Sequence, residues 1–257
     1  MKNIVISLKT ATDRRHHIEQ EFQKNHVEFG FFDALTPDAA KSYAKKLSIN
    51  FEESDLTGGE LACLMSHVSI WKKMIDEGIP YLAVFEDDVY LGEDAEYLLN
   101  TIDWIKPEWN IIKTETVNDK IILSSDKHAV IAGKRYIAQL KSIHLGSGSY
   151  ILSLRGAKLY FDYFTKNKLI PIDELMFDAF LCEHLEPVYQ MTPALCIQEI
   201  ILRGANSELL LPGSLMTDRS NKVNKTKKSF TYKLKREANR LASHVRKAIS
   251  AEDIPFK

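Results

Sequence analysis

Tyr81-Leu-Ala-Val-Phe85-Glu86-Asp87-Asp88 is the stretch on which the architecture turns. Five apolar residues in an unbroken run, introduced by Pro80, mark a strand buried on both faces in the middle of a parallel sheet. The run stops abruptly on three carboxylates. Alternation along a strand sends Val84, Glu86 and Asp88 to one face and Phe85 and Asp87 to the other. On its N-terminal side, Leu61, Leu64, Val68, Trp71 and Ile75 keep helical spacing, which predicts a long helix from Thr57 to near Gly78. Further upstream, residues 3–8 (NIVISL) read as a short buried strand. A helix over 13–25 capped by Thr12 or Asp13, a strand over 27–34 and a small helix over 38–47 follow. Downstream, the pattern predicts a helix over 94–104 and strands over 110–116, 120–124 and 128–137. A Gly/Ser turn at 146–149 leads into a strand over 150–153, helices over 155–166 and 173–184, and a last strand over 187–190. Strands alternating with helices specify an α/β sandwich around a mostly parallel sheet.

The chain has 257 residues, 45% of them apolar and 27% charged, enough for one compact domain with an appendage. Its net charge of −1 hides an asymmetry. Residues 219–247 hold eleven Lys/Arg against one acid, Glu237, whereas residues 1–218 hold 22 basic and 32 acidic residues. An acidic body therefore carries a basic tail, and the tail is where an anionic partner belongs. Cys63, Cys182 and Cys196 are odd in number and widely spaced, which argues against a disulfide framework and against a cysteine-based zinc site. The apolar start runs straight into Lys9, too short for a secretory signal, and no apolar run reaches the length of a membrane span. A secreted protein, an integral membrane protein and a disordered scaffold are disfavoured; the expectation is a cytosolic globular protein.

In open α/β sheets ligands bind outside the carboxyl ends of the strands, and Glu86-Asp87-Asp88 stands at such an end. Three adjacent carboxylates repel one another unless a cation joins them. Hard oxygen donors suit Mg²⁺ or Mn²⁺, which bridge one or two carboxylates to the phosphates of a substrate. The bland alternative is a solvated acidic turn. The apolar run before it, which marks an interior strand, favours the metal, with Glu86 and Asp88 as its ligands.

Several motifs in fixed order now resemble a known family. Val5-Ile-Ser-Leu8 with Asp13-Arg14-Arg15, then Gly59-Glu60-x-x-Cys63-x-x-Ser66-His67-x-x-x-Trp71, then Phe85-Glu-Asp-Asp88, look like glycosyltransferase family 25. Gly146-Ser-Gly-Ser-Tyr150 and Pro171-Ile-Asp173 fit it too. The resemblance covers about residues 1–200. It implies a GT-A-like, Rossmann-type α/β sandwich, an inverting reaction, a UDP-sugar donor, a divalent metal (Mn²⁺ or Mg²⁺) and a lipooligosaccharide core acceptor, with galactose as the first choice of sugar. Glu86, Asp87 and Asp88 then stand where the family's metal and diphosphate motif stands. The donor site implied by this resemblance takes in Leu8, Arg14, Arg15, Glu60, His67, Glu86, Asp87, Gly146 and Ser147.

Each motif has a plainer reading beside it. Arg14 and Arg15 can reach a nucleotide or be exposed helix residues. Thr57-x-x-Glu60 fits a capping box as well as a catalytic motif. Glu60 and His67, seven apart, share one helix face. A histidine there is ordinarily structural. Gly146 and Ser147 can bring backbone close to a sugar or phosphate, or form an ordinary turn. Asp173 matches the position of the base that an inverting transfer requires, or it caps its helix, and Glu174 and Asp178 compete with it. Gln198 lies near the place of the C-terminal metal-binding histidine of many GT-A enzymes but is a poor substitute, which leaves the third metal contact open.

In the tail, Leu234, Ala238, Leu241, Val245 and Ala248 recur at helical spacing among Lys and Arg. This predicts a basic amphipathic helix for an anionic inner-membrane surface, with a solvated helix as the alternative and no base-reading motif for nucleic acid. The domain expectation is a GT-A-like unit over 1–206 and a basic linker and helix over 207–257. A sugar-phosphate nucleotidyltransferase is the enzymatic rival, but Leu8-Lys-Thr-Ala-Thr-Asp13 lacks the glycines of a phosphate loop. A non-catalytic sugar-binding module is the other rival, against which the intact acidic cluster and Asp173 speak. Oligomeric state is not legible.

Overall fold

The computed structural model describes residues 1–204, 207, 210, 211 and 251–257. The expected basic amphipathic helix lies outside these residues. Along the described chain run β1 (Lys2–Ser7), α1 (Thr12–Lys24), β2 (Gly30–Asp33), α2 (Pro37–Lys46), α3 (Gly58–Glu77), β3 (Tyr81–Glu86), β4 (Val89–Leu91) and α4 (Ala95–Asn100). Then come β5 (Ile111–Lys113), β6 (Glu115–Thr116), β7 (Leu123–Ile131), β8 (Arg135–Leu140), β9 (Ser149–Ser153) and α5 (Leu154–Lys166). A last helical stretch combines α6 (Ile172–Glu174), a π turn (Leu175–Ala179) and α7 (Phe180–Cys182), before β10 (Tyr189–Thr192), β11 (Cys196–Gln198) and α8 (Glu199–Arg203).

An eight-stranded sheet has the order β2-β1-β3-β9-β5-β10-β8-β7. The pairings make six strands run one way, with only β9 and β8 opposed. The apolar run of β3 is indeed interior, between β1 and β9. Its alternation divides two cores: Leu82 and Val84 face α2, α3, α5 and the last helical stretch, while Ala83 and Phe85 face α1, α4, Trp104 and Trp109. A small second sheet, β4-β11-β6, stands beyond the end of β3.

Local chemistry explains most element ends. The Thr57 hydroxyl accepts from the Glu60 amide at 3.1 Å and the Glu60 carboxylate accepts from the Thr57 amide at 2.8 Å, a complete capping box. Gly78, at φ 63°, ends α3 where a side chain would be strained. For α1 the expected caps are not used: Ala11 holds the cap position and no side chain accepts there. The helix predicted over 94–104 stops at Asn100, because the Thr101 hydroxyl takes the Asp103 amide and competes with the helical bond.

The strand predicted over 128–137 is two strands. Gly133, at φ 72°, reverses the chain between β7 and β8. The strand predicted over 110–116 also divides. Thr114 bonds to Ser149 in the large sheet through its amide, and its carbonyl accepts from Leu195 and Cys196, so β5 and β6 belong to different sheets.

Residues 251–257 lie on the body: Glu252 exchanges both backbone bonds with Ile121, Ala194 bridges to Pro255 and Lys257, and Ile254 is 1% exposed within the core. Arg135, 2% exposed, donates to the carbonyls of Pro193, Glu93 and Lys257, fastening this strap to the β8 hairpin. Apolar burial at Ile254 outweighs the polarity of the segment around it.

Candidate active site

β1 and β3 run parallel with Ile6 opposite Glu86, so the carboxyl end of β3 opens beside that of β1. From the other side, β9 runs antiparallel to β3, and the Gly148 carbonyl takes the Glu86 amide at 2.9 Å. Topology thus delivers the loop 146–148 onto the acidic end. Strand alternation then gives the three carboxylates different partners. Asp87 turns toward α1, where it accepts from the Ser7 hydroxyl at 2.7 Å and from Arg14 at 2.6 Å. Glu86 turns the opposite way and accepts from the Ser147 hydroxyl at 2.7 Å. Arg14 also approaches Asp88 to 3.6 Å. The Gln198 Nε2 group lies 3.2 Å from Glu86 and 3.3 Å from Asp88, bridging the two.

Burial and like charge shape the electrostatics. Burial first, then the neighbouring Glu86, push the Asp88 carboxyl up to about 7. Burial opposes ionisation of Glu86 as well, but the hydrogen bonds and charges of His67, Ser147 and Arg14 outweigh it and hold the carboxyl below its ordinary value. For Arg14, burial works against the charge and the carboxylates of Asp88 and Asp87 overcome it, raising its pKa. Two hard carboxylates, Glu86 and Asp88, converging on one amide group at the end of an interior strand, fit a divalent cation.

A buried ion pair holds the glycine loop. Lys113 and Glu115, both fully buried, meet at 2.7 Å; the Lys113 ammonium also donates to the Gly146 carbonyl, and Glu115 accepts from the Gly148 amide at 2.9 Å. A Cβ at residue 146 would fall 2.8 Å from Glu115 and one at residue 148 would fall 2.6 Å from it, so both glycines are required for close approach. The Lys113 ammonium lies over the Phe177 ring at 4.2 Å and feels the carboxylates of Asp173 and Glu86, which places the start of α6 on the same side of the sheet as the acidic turn.

Asp173 itself is half-buried and accepts from the Glu174 amide at 3.0 Å. The helix-cap alternative for it fails, since Pro171 holds that position and Asp173 lies inside the first turn. Glu174 is exposed, and Asp178 accepts from the Cys182 thiol at 3.6 Å.

Other expected donor-site residues have partners of their own. Arg15 bonds to the carbonyls of Ser7 and Leu8 and to Asp33, and stacks on Phe31, so it braces the exits of β1 and β2. Leu8 is the half-exposed residue of that exit. Glu60 is engaged in its capping box.

His67 is 0% exposed and reaches Glu86 instead of an open cleft. The Trp71 indole can only donate, and does so to the Tyr150 oxygen at 3.0 Å. The same Tyr150 oxygen lies 2.8 Å from His67 Nδ1, and His67 Nε2, which makes no hydrogen bond, lies 3.7 Å from Glu86. Cys63, His67 and Glu86 bring ligand atoms within 4.8 Å of one another. Lys113 and Glu115 escaped the sequence reading, although a charged pair two residues apart beside Ile111 and Ile112 was an available signal; Ser7 and Tyr150 stood in quoted motifs without a role.

With this geometry in place, known proteins are informative. The profile described as "Glycosyltransferase family 25 (LPS biosynthesis protein)" matches residues 1–176. Lacto-N-neotetraose biosynthesis glycosyltransferase LgtE of Neisseria gonorrhoeae is 38% identical over 210 residues, spanning 78% of this chain and 75% of that protein. Lipooligosaccharide biosynthesis protein lex-1 of Haemophilus influenzae is 32% identical over 282 residues, spanning 97% and 92%. A solved glycosyltransferase involved in glycosylation of the major capsid of PBCV-1 aligns with a TM-score of 0.42 at 10% identity, over 77% of this chain and 93% of that one.

Proposed function

The chain belongs to glycosyltransferase family 25, and from that premise we propose that it moves a hexose, galactose as first choice, from a UDP-sugar to a lipooligosaccharide core acceptor with inversion. The observation that carries this reading is the convergence of Glu86 and Asp88 on one point, with Arg14 and Ser147 beside them, at the carboxyl end of an interior strand.

Glu86 and Asp88 would hold a divalent cation, Mn²⁺ or Mg²⁺, which when bound offsets the charge developing on the departing diphosphate. Arg14 supplies a guanidinium at the same edge, suited to a phosphate oxygen once a donor competes with the carboxylates. The loop 146–148 sets the Ser147 hydroxyl on Glu86 at the same edge, where it can also meet a sugar or phosphate oxygen. Asp173 takes the proton of the acceptor hydroxyl. The oxygen so released forms the new bond to the anomeric carbon as the bond to UDP breaks, and UDP leaves with the electron pair.

Among the described residues no helix is long and apolar enough to cross a membrane. The run of eleven Lys/Arg over 219–247 supports a peripheral position at the cytoplasmic face of the inner membrane, where a lipid-linked acceptor would be met.

The test is UDP release from a panel of UDP-galactose, UDP-glucose and UDP-N-acetylglucosamine with a lipooligosaccharide acceptor and Mn²⁺. Turnover of one UDP-sugar, abolished by chelator and by Asp88→Asn in a folded variant, is expected. Turnover that survives the chelator overturns the cation assignment, and no UDP release from any donor overturns the donor class.

A further inference from the structure

On the face of the sheet covered by α3, we propose that Cys63, His67 and Glu86 form an inhibitory site for Zn²⁺. Its donor set differs from that of the cation expected between Glu86 and Asp88. The inhibitory half of this inference rests on the reading of Glu86 as a ligand of that cation; the binding half does not.

Strand and helix periods build the cluster. Glu86 follows Leu82 and Val84 on the face of β3 that packs against α3. Cys63 and His67 are four apart in α3, so they lie one turn apart on the same side of the helix. Their ligand atoms and that of Glu86 lie within 4.8 Å of one another: a thiol sulfur, an imidazole nitrogen and a carboxylate oxygen. His67 Nε2 is an orphan. The residue is 0% exposed, the nitrogen has no hydrogen-bond partner, and Glu86 at 3.7 Å is too far to be one. A polar atom buried without a partner is unfavourable, and a cation bound there would satisfy it.

The spacing suits zinc. Bonds of about 2.0–2.3 Å around a tetrahedral ion set its ligand atoms roughly 3.3–3.8 Å apart. His67 and Glu86 already meet that condition, and Cys63 has about 1 Å to travel at most. The other ring nitrogen is provided for as well. The Tyr150 oxygen, which takes the Trp71 indole on one lone pair, stands 2.8 Å from His67 Nδ1. With Zn²⁺ on Nε2, Nδ1–H donates to that oxygen, an outer-shell bond of the kind that orients zinc-bound histidines. Cys63 is half-buried and the Glu86 side chain is 21% exposed, so the ion can enter from the acidic turn, with water in the fourth position. Binding releases the Cys63 thiol proton to water.

Sulfur and imidazole select Zn²⁺ over Mg²⁺ and Mn²⁺, which prefer oxygen. A zinc ion that draws Glu86 to this side removes one of the two carboxylates shared with Asp88, so the two cations exclude each other. The wide spacing of the cysteines in the sequence hid this site, because only one cysteine takes part. Its partners are a histidine one turn on and a carboxylate from another element.

Co²⁺, which stands in for Zn²⁺ and shows a thiolate-to-metal charge-transfer band, is titrated into the full chain, and Zn²⁺ affinity is read by its displacement. Wild type should take up a single equivalent with the band. A folded Cys63→Ala should lose the band and bind Zn²⁺ at least about tenfold more weakly, a loss that outer-shell partners alone carry. Cys182→Ser and Asp88→Asn should keep both. Zn²⁺ should also shield Cys63 from alkylation in the wild-type chain, a readout that needs no substitution. In UDP release at fixed Mn²⁺, Zn²⁺ should inhibit wild type, and Cys63→Ala should require at least about tenfold more of it. No thiolate band in wild type, a band that survives in Cys63→Ala, or equal alkylation of Cys63 with and without Zn²⁺ overturns the site. Zn²⁺ bound through Cys63 without inhibition overturns the inhibitory role. A chain that turns over no UDP-sugar overturns the proposed activity and the inhibitory role with it, while the Co²⁺ titration still decides the site.

Discussion

Replacing Asp173 by Asn separates chemistry from structure, because the fold assigns that side chain almost no structural work. The cap of α6 is Pro171, so no cap is lost. Among the described residues the carboxylate accepts one hydrogen bond, from the Glu174 amide at 3.0 Å, and the Asn oxygen can accept it as well. What disappears is one negative charge in the first helical turn, worth about 0.3–1 kcal/mol. In a chain of this size that lowers Tm by no more than about 4 °C. A lost general base costs far more, about 10²–10⁴-fold in rate, or roughly 3–5.5 kcal/mol of transition-state stabilisation. The assay is UDP release at saturating donor and acceptor, with donor affinity by calorimetry and Tm by circular dichroism. Asp173→Asn should keep donor affinity and Tm near wild type while turnover collapses. Asp173→Ser guards against a packing artefact of the amide. If both variants turn over at the wild-type rate, Asp173 is not the base and the role passes to Glu174 or Asp178.

Gly148→Ala forces a methyl to within 2.6 Å of Glu115 and 2.8 Å of Gln198. Overpacking of about 1–3 kcal/mol should lower Tm by several degrees, and an unchanged Tm would refute the close fit. Ile254→Ala opens a cavity under a side chain that is 1% exposed. A loss of about 2–5 kcal/mol in urea unfolding is expected, and none at all if the strap over 251–257 does not dock in solution. Thiol alkylation should distinguish the cysteines: Cys182 is exposed, whereas burial, foremost, pushes the Cys196 thiol up to about 12. Cys196 is protonated well above neutral pH and should stay unmodified at pH 8 until the chain is unfolded; rapid labelling of native Cys196 would contradict its place in β11.

The features that the sequence by itself determined are those written in neighbouring residues. The run Tyr81–Phe85 specified an interior strand, because an unbroken apolar stretch of that length can be buried only with cover on both faces. Thr57 and Glu60 specified the start of α3 through bonds that close within one turn. The alternation at Glu86-Asp87-Asp88 specified that the carboxylates would part to opposite faces, and they do. Partnership was decided elsewhere. Nothing near Gln198 spells Glu86 or Asp88; the pairing of β11 with β4 brings them together. Nothing near Gly148 spells Glu115, which reaches it through the antiparallel pairing of β9 with β5. His67 was legible as a residue on one helix face. Only the tertiary structure made that face the buried one and set it between Tyr150 and Glu86. A helix cap or a strand period is settled by bonds and burial within a few residues of chain. A site is settled by which strands lie side by side, and that depends on the free energy of the whole sheet and its two cores, which no single stretch of sequence carries.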